Sequence, residues 1–215
     1  MSFAFENHTE DRMKSSTSVD LLRIALLCVL FSPMCRAQAP AGIPVFQLSQ
    51  PPDSKVTFDV KASTPIDGVF DKWEASLIFT SAAAESGVLD IKVDAASVNT
   101  GSGMKDGKLK GKDFFDVKDN PYITFHSTKI EQTGPTTVVI TGTFTIRGVS
   151  KTEKLTFTLS GKGTGAGEIN GTMAFDRKDY GMNANIPFIK IADSVSVGVD
   201  IKGKRVSGPP LVFKQ

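Results

Sequence analysis

The stretch Asp113–Lys151, DFFDVKDNPYITFHSTKIEQTGPTTVVITGTFTIRGVSK, decides the fold class. Ile123 and Phe125 point to one side of an extended chain, while Thr124 and His126 point to the other. Further on, Val138, Ile140, Phe144 and Ile146 share a face opposite Thr137, Val139, Thr141, Thr143 and Thr145. Side chains alternate sides along a strand, so a period of two with threonines outside predicts antiparallel strands packed on one face and wetted on the other.

Working outward, the same alternation predicts eight strands. Val56, Phe58 and Val60 mark the first, Trp73, Ala75, Leu77 and Phe79 the second, after Gly68-Val69-Phe70, and Leu89, Ile91 and Val93 the third. After the two strands above come Leu155/Phe157/Leu159, Ile169/Met173/Phe175 and Val195/Val197/Val199/Ile201. Turn signals at Thr133-Gly134-Pro135, Arg147-Gly148 and Gly161–Gly167 join sequential neighbours. Closure removes the exposed edges of such a sheet, so the expected fold is all-β, an eight-stranded antiparallel barrel. A bore of that size is filled by side chains or holds one slender ligand.

Ser97–Pro121 interrupts the pattern as a helical or loop excursion between strands three and four. Met104, Leu109 and Phe114 are spaced for a short helix weakened by Gly107 and Gly111, and Pro121 stops it. Two compatible readings stand: a lid over one barrel end, with Met104, Phe114 and Phe115 controlling entry, or a plug that closes it.

The N-terminus has another character. Leu21–Phe31 is apolar apart from Arg23 and Cys28, preceded by Lys14 and followed by Pro33 and small residues. That layout predicts a secretory signal peptide over residues 1–37, cut after Ala37, with Met13 as an alternative start; a membrane anchor is the competing reading. Residues 38–53 read as a flexible leader, 54–206 as the barrel domain, and 207–215, with Gly208-Pro209-Pro210, as a tail. Both cysteines, Cys28 and Cys35, fall in the leader, so the domain must be held by its core and its sheet. The expected location is periplasmic or secreted, with no transmembrane segment in the mature chain.

A net charge of +2 argues against a nucleic-acid surface. Catalysis finds little support. Beyond the leader the chain has one histidine, His126, between solvent-facing Thr124 and Thr128, which cannot build a zinc site or activate a serine. Gly161–Gly167 lacks the Gly-Lys-Ser/Thr ending of a phosphate loop and reads as a hairpin turn. Neither a cofactor nor an enzymatic activity is expected.

Three motifs remain: Lys105-Asp106-Gly107-Lys108-Leu109 followed by Asp113-Phe114-Phe115-Asp116-Val117; Gly142-x-Phe144-x-Ile146-Arg147-Gly148-Val149-Ser150-Lys151; and Phe175-Asp176-Arg177-Lys178-Asp179-Tyr180-Gly181-Met182. Together they resemble the YceI-like family of small lipid-binding β-barrels, from about Lys55 to Arg205. The resemblance implies a lipocalin-like barrel outside the cytoplasm that holds a polyisoprenoid or similar amphipathic lipid. Lys105 stands where the family has arginine, and Ala62-Ser63-Thr64-Pro65 where it usually has a histidine.

The expected apolar lining is Phe70, Trp73, Leu77, Phe79, Ile91, Phe114, Phe115, Phe125, Phe144, Ile146, Phe157, Met173 and Phe175. Fifteen phenylalanines against two tyrosines suit a dry lining, because a phenyl ring brings no hydroxyl to satisfy. A ligand tunnel and a filled core share that composition, so both stay open, the second making this a structural or stress-related module. Lys105, Asp106, Arg177 and Asp179 are the candidates for a polar tether or a head-group contact. Counting by twos from Met173 and Phe175 puts Arg177 and Asp179 on the apolar face. There they form an internal ion pair or meet a head group, unless a bulge near Asp176 turns them outward.

Overall fold

The structure, a computed structural model, describes residues 42–184 and 189–214. The expected signal peptide over 1–37, its cut after Ala37 and the Met13 start lie outside the described residues. Among those described, no helix is long and apolar enough to cross a membrane.

The expected eight-stranded closed barrel is present, although its strands are broken into eleven segments. β1 (Val45–Leu48) and β2 (Lys55–Ala62) both lie along one edge of β11 (Ile191–Ser207). β1 takes Gly203–Ser207 and β2 takes Ile191–Asp200, so the two act as one kinked strand. β3 (Ile66–Phe70) pairs with β2 and β4 (Trp73–Phe79) pairs with β1, making a second kinked strand. The third is β5 (Gly87–Asp94) on β4 with β6 (Val98–Asn99) on β3. Continuous strands β7 (Tyr122–Gln132), β8 (Thr137–Ile146), β9 (Val149–Leu159) and β10 (Ala166–Asp176) complete the ring between β5 and β11. Every ladder in it is antiparallel.

Local chemistry fixes two of the kinks against each other. Ser97 Oγ accepts from the Lys72 amide at 3.0 Å and donates to the Lys72 carbonyl at 3.2 Å, while the Asp71 amide reaches the Ser97 carbonyl at 3.1 Å. Asp94 accepts from the Ala96 amide at 2.9 Å and so starts the turn that bends β5 into β6. Backbone groups freed by the kinks are thereby satisfied rather than buried bare.

Alternation holds along the continuous strands. Val138, Ile140, Phe144 and Ile146 are buried on β8, with Gly142 completing the row. Gly142 and Gly171 are there because rings lie across them. A Cβ on Gly142 would sit 2.5 Å from the Phe125 ring, and one on Gly171 2.1 Å from Phe157.

The chain folds more of its ends than expected. Residues 38–53 were read as a flexible leader, yet β1 lies within them because Phe46 and Leu48 alternate inward against the β11 edge. Beyond Ser207 the tail folds back over the mouth instead of trailing away. Val212 bridges Ala83, its amide donating to the Ala82 carbonyl at 2.8 Å and its carbonyl accepting from the Ala84 amide at 3.0 Å.

Candidate functional site

Inside the barrel the space divides into two apolar lobes. The lobe nearer the excursion has a volume of about 90 Å³, and Phe70, Ile91, Phe114, Phe115, Phe125, Phe144, Ile146, Met173 and Phe175 line it. The second, near the tail, is about 70 Å³, and Leu77, Phe79 and Phe157 line it together with Leu211 and Phe213. Trp73 is buried in the same core but lines neither lobe. Sequence reading missed Phe58, Val93, Leu109, Ile123 and Met182 as lining residues. Phe58, Val93 and Ile123 carried a usable signal, since each sits on the inward parity of its strand. Both lobes are smaller than the roughly 150 Å³ of an engineered apolar cavity that admits benzene.

The excursion closes one end. α1 (Gly103–Lys110) leads into a turn whose Phe115 amide donates to the Leu109 carbonyl at 2.9 Å. That turn buries Phe114 and Phe115, and the Phe115 ring lies 5.9 Å from Phe70 and 6.4 Å from Phe58. Met104, expected beside them, is instead 88% exposed. It precedes Leu109 by five residues, which puts the two about 140° apart around a helix, so only Leu109 can face the lumen. Lys105 and Asp106 serve as tethers outside the lumen. Lys105 Nζ donates to the Pro65 carbonyl at 3.0 Å, and Asp106 accepts from the Thr100 hydroxyl at 2.6 Å and amide at 2.9 Å. Those Thr100 bonds hold the Asp106 carboxyl below the usual carboxylate range.

Arg177 and Asp179 do not pair. β10 ends at Asp176, and Arg177–Tyr180 form one turn of 3₁₀ helix ended by Gly181 at φ 76°, so counting by twos no longer applies. Asp179 faces solvent and meets Lys151 at 3.0 Å. Arg177 turns inward to 3% exposure and lines the first lobe. Its Nε donates to the Ala192 carbonyl at 3.1 Å, and its Nη1 to the carbonyls of Met182 and, at 3.3 Å, Ala184. Nη2 meets Asp193 at 3.1 Å, and Lys178 shares that carboxylate at 2.8 Å. The Lys178 hydrogen bond, with both cations adding attraction, holds the Asp193 carboxyl below its ordinary value.

Beside Arg177 stands Tyr180, fully buried, its ring set edge-on to Phe144 and Phe175 at 5.4 Å and 5.2 Å. Its hydroxyl donates to Glu153 at 2.8 Å; burial first, then that carboxylate, pushes the phenol pKa up, so the group stays neutral. In the sequence Arg147 marks a turn and belongs to the Gly142–Lys151 motif, with no contact assigned to it. Its guanidinium donates to the carbonyls of Gly181 and, at 3.0 Å, Lys112, tying the Tyr180 turn to the excursion.

His126 is exposed on the outer wall, 2.6 Å from Asp90. Chemically, the lumen offers apolar contact over nearly its whole surface, with one buried guanidinium in the wall of the first lobe.

The family model for the YceI-like domain matches residues 49–203. A UPF0312 protein of Pseudomonas savastanoi pv. phaseolicola is 32% identical over 133 residues, which is 60% of this chain and 69% of that protein. BcnA of Burkholderia cenocepacia superposes with a TM-score of 0.63 at 28% identity, over 70% of this chain and 96% of its own. The YCEI protein of Campylobacter jejuni does so with a TM-score of 0.55 at 30% identity, over 65% and 85%. A polyisoprenoid binding domain from Saccharophagus degradans shares the fold at 15% identity, with a TM-score of 0.57 over 75% of this chain and 99% of that one. The match runs from just after β1 to Gly203 in β11, and this chain belongs to the YceI-like family.

Proposed function

We propose that this protein is a non-enzymatic carrier that holds the apolar chain of a polyisoprenoid or similar amphiphile inside its barrel, outside the cytoplasm. The observation that carries the reading is the lumen: two apolar lobes stacked in one closed barrel, with a buried arginine in the wall of the first. The Saccharophagus domain's description as polyisoprenoid binding supports the ligand class. A long chain needs more room than the lobes provide, so loading swings side chains aside. Met173 and Met182, unbranched and adaptable, line the first lobe and suit that movement.

Export is supported by the apolar run Leu21–Phe31 and by the absence of cysteine after Cys35. N-terminal sequencing of exported protein should find a start near Gln38; a mature product retaining Cys28 would refute export with cleavage.

Ligand binding is tested by native mass spectrometry after incubation with a long polyprenol. A retained polyprenol mass is expected. A clean protein mass with an unchanged thermal midpoint would establish a filled core and defeat the carrier reading.

A further inference from the structure

We propose that the seam between β1 and β4 docks on an anionic lipid surface and is the portal through which an apolar chain enters the barrel; this rests on the carrier reading above. The seam is the thinnest part of the wall. β1 and β4 are matched at one position, Val45 opposite Ile78, whereas β4 and β5 are matched from Trp73–Val93 to Phe79–Gly87. Few ladder bonds must break to part the two strands there.

Apolar surface is continuous across the seam. A groove of about 270 Å³ runs along it, lined on the outside by Ile43, Val45 and Ile78 and on the inside by Leu48, Leu77 and Phe79. Those last three also line the second lobe, so groove and lumen share a wall. On the outer face the apolar row continues from Val45 across Ile78 to Val88. Ile43, Val45, Ile78, Val206 and Val212 are exposed by 47–62%, and all lie at this end of the barrel. Clustered aliphatic side chains in solvent mark an interaction surface.

Charge selects the partner. Lys129, Lys162, Lys202, Lys204, Arg205 and Lys214 outnumber Asp53, Glu85, Glu131 and Glu168 around this mouth, with Lys214 bonded to Glu85 at 2.6 Å and Lys129 to Glu131 at 2.8 Å. Aliphatic side chains flanked by an excess of lysine and arginine fit the headgroup boundary of an anionic bilayer, where buried apolar area and attraction to lipid charge add. A bilayer also presents the kind of chain the lumen would accept.

The test bridges the seam. Val45→Cys with Ile78→Cys, in the full chain carrying Cys28→Ser and Cys35→Ser, places two thiols at a directly opposed pair, close enough to oxidise with a small shift. Phosphatidylglycerol vesicles loaded with cis-parinaric acid supply the probe. Oxidation should slow uptake severalfold, dithiothreitol should restore it, and near-UV circular dichroism should match in both states. Ile43→Ser with Ile78→Ser should weaken vesicle binding severalfold, as should raised salt. Equal uptake by oxidised and reduced protein would overturn the portal while leaving the carrier intact. No uptake in either state would strike the carrier reading itself. Dimerisation through this face, abolished by the serine variant and without vesicle binding, would assign the surface to a second copy and overturn the proposal.

Discussion

At the helix end of the barrel, two turns far apart in sequence are locked to each other: Arg147 bridges the Lys112 and Gly181 carbonyls, and Phe114, Phe115 and Tyr180 are buried beneath them. At the tail end a single strap crosses the mouth. Leu211 and Phe213 are only half-buried, held by the Val212–Ala83 bridge, by Gln132 to both backbone groups of Lys214, and by Lys214 to Glu85. Closure by buried aromatic packing is cooperative with the core; closure by a strap with exposed hydrogen bonds opens locally at little cost. The same sheet therefore has a fixed end and a yielding one.

Breaking the fixed end should cost most. Phe114→Ala and Phe115→Ala remove packed rings and are each expected to destabilise by about 3–5 kcal/mol, read as a fall in urea midpoint at constant slope. Next comes Arg177→Met, which leaves the Ala192, Met182 and Ala184 carbonyls without their donor. About 3 kcal/mol is expected, since each buried group left unsatisfied costs about 1–3 kcal/mol. Adding Asp179→Leu should change the stability by no more than about 0.5 kcal/mol, because that carboxylate lies on the surface. Recovery of stability in the double variant would restore the pairing that the structure denies.

Loosening the yielding end should cost less. Leu211→Ser with Phe213→Ser removes half-buried area and is expected to cost about 1–2 kcal/mol while speeding probe exchange. A loss matching that of the phenylalanine pair would erase the distinction between the ends.

Acid gives the smallest and sharpest test. Thr100 lowers the Asp106 pKa, Lys108 that of Asp113, and Lys178 that of Asp193, all at the helix end; Lys214 does the same for Glu85 at the tail. A carboxyl whose folded pKa is depressed stabilises fully above its ordinary value and loses that contribution as pH falls through the folded value. Amide protection, corrected for the intrinsic exchange rate at each pH, should thus fall more in 103–119 and 177–184 than in 209–214 as pH drops below about 4. A uniform loss of protection would show that these contacts do not set local order.

The barrel was legible because strand alternation repeats eight times, and most lining residues followed from inward parity. What escaped was everything set by a turn. A count of two carried past the end of β10 puts Arg177 and Asp179 on one inward face, but the chain has already begun a 3₁₀ turn there. Met104 and Leu109 share a short apolar spacing, but five residues subtend about 140° on a helix and carry Met104 away from the lumen. Arg147 makes its bonds to Lys112 and Gly181, neither near it in sequence, so no local pattern reports them. β1 escaped because four residues of VFQL show only one full alternation. The tail closes a mouth that exists only after the sheet has formed.

Gly142 and Gly171 have a meaning beyond sparing Phe125 and Phe157 a clash. Where a ring rests on bare backbone, the width of the bore is set by the thickness of that ring alone. A methyl group at either glycine would push a phenyl toward the axis and narrow the passage at that level. Two hydrogen atoms thus set how much of the barrel's cross-section the rings of Phe125 and Phe157 take up.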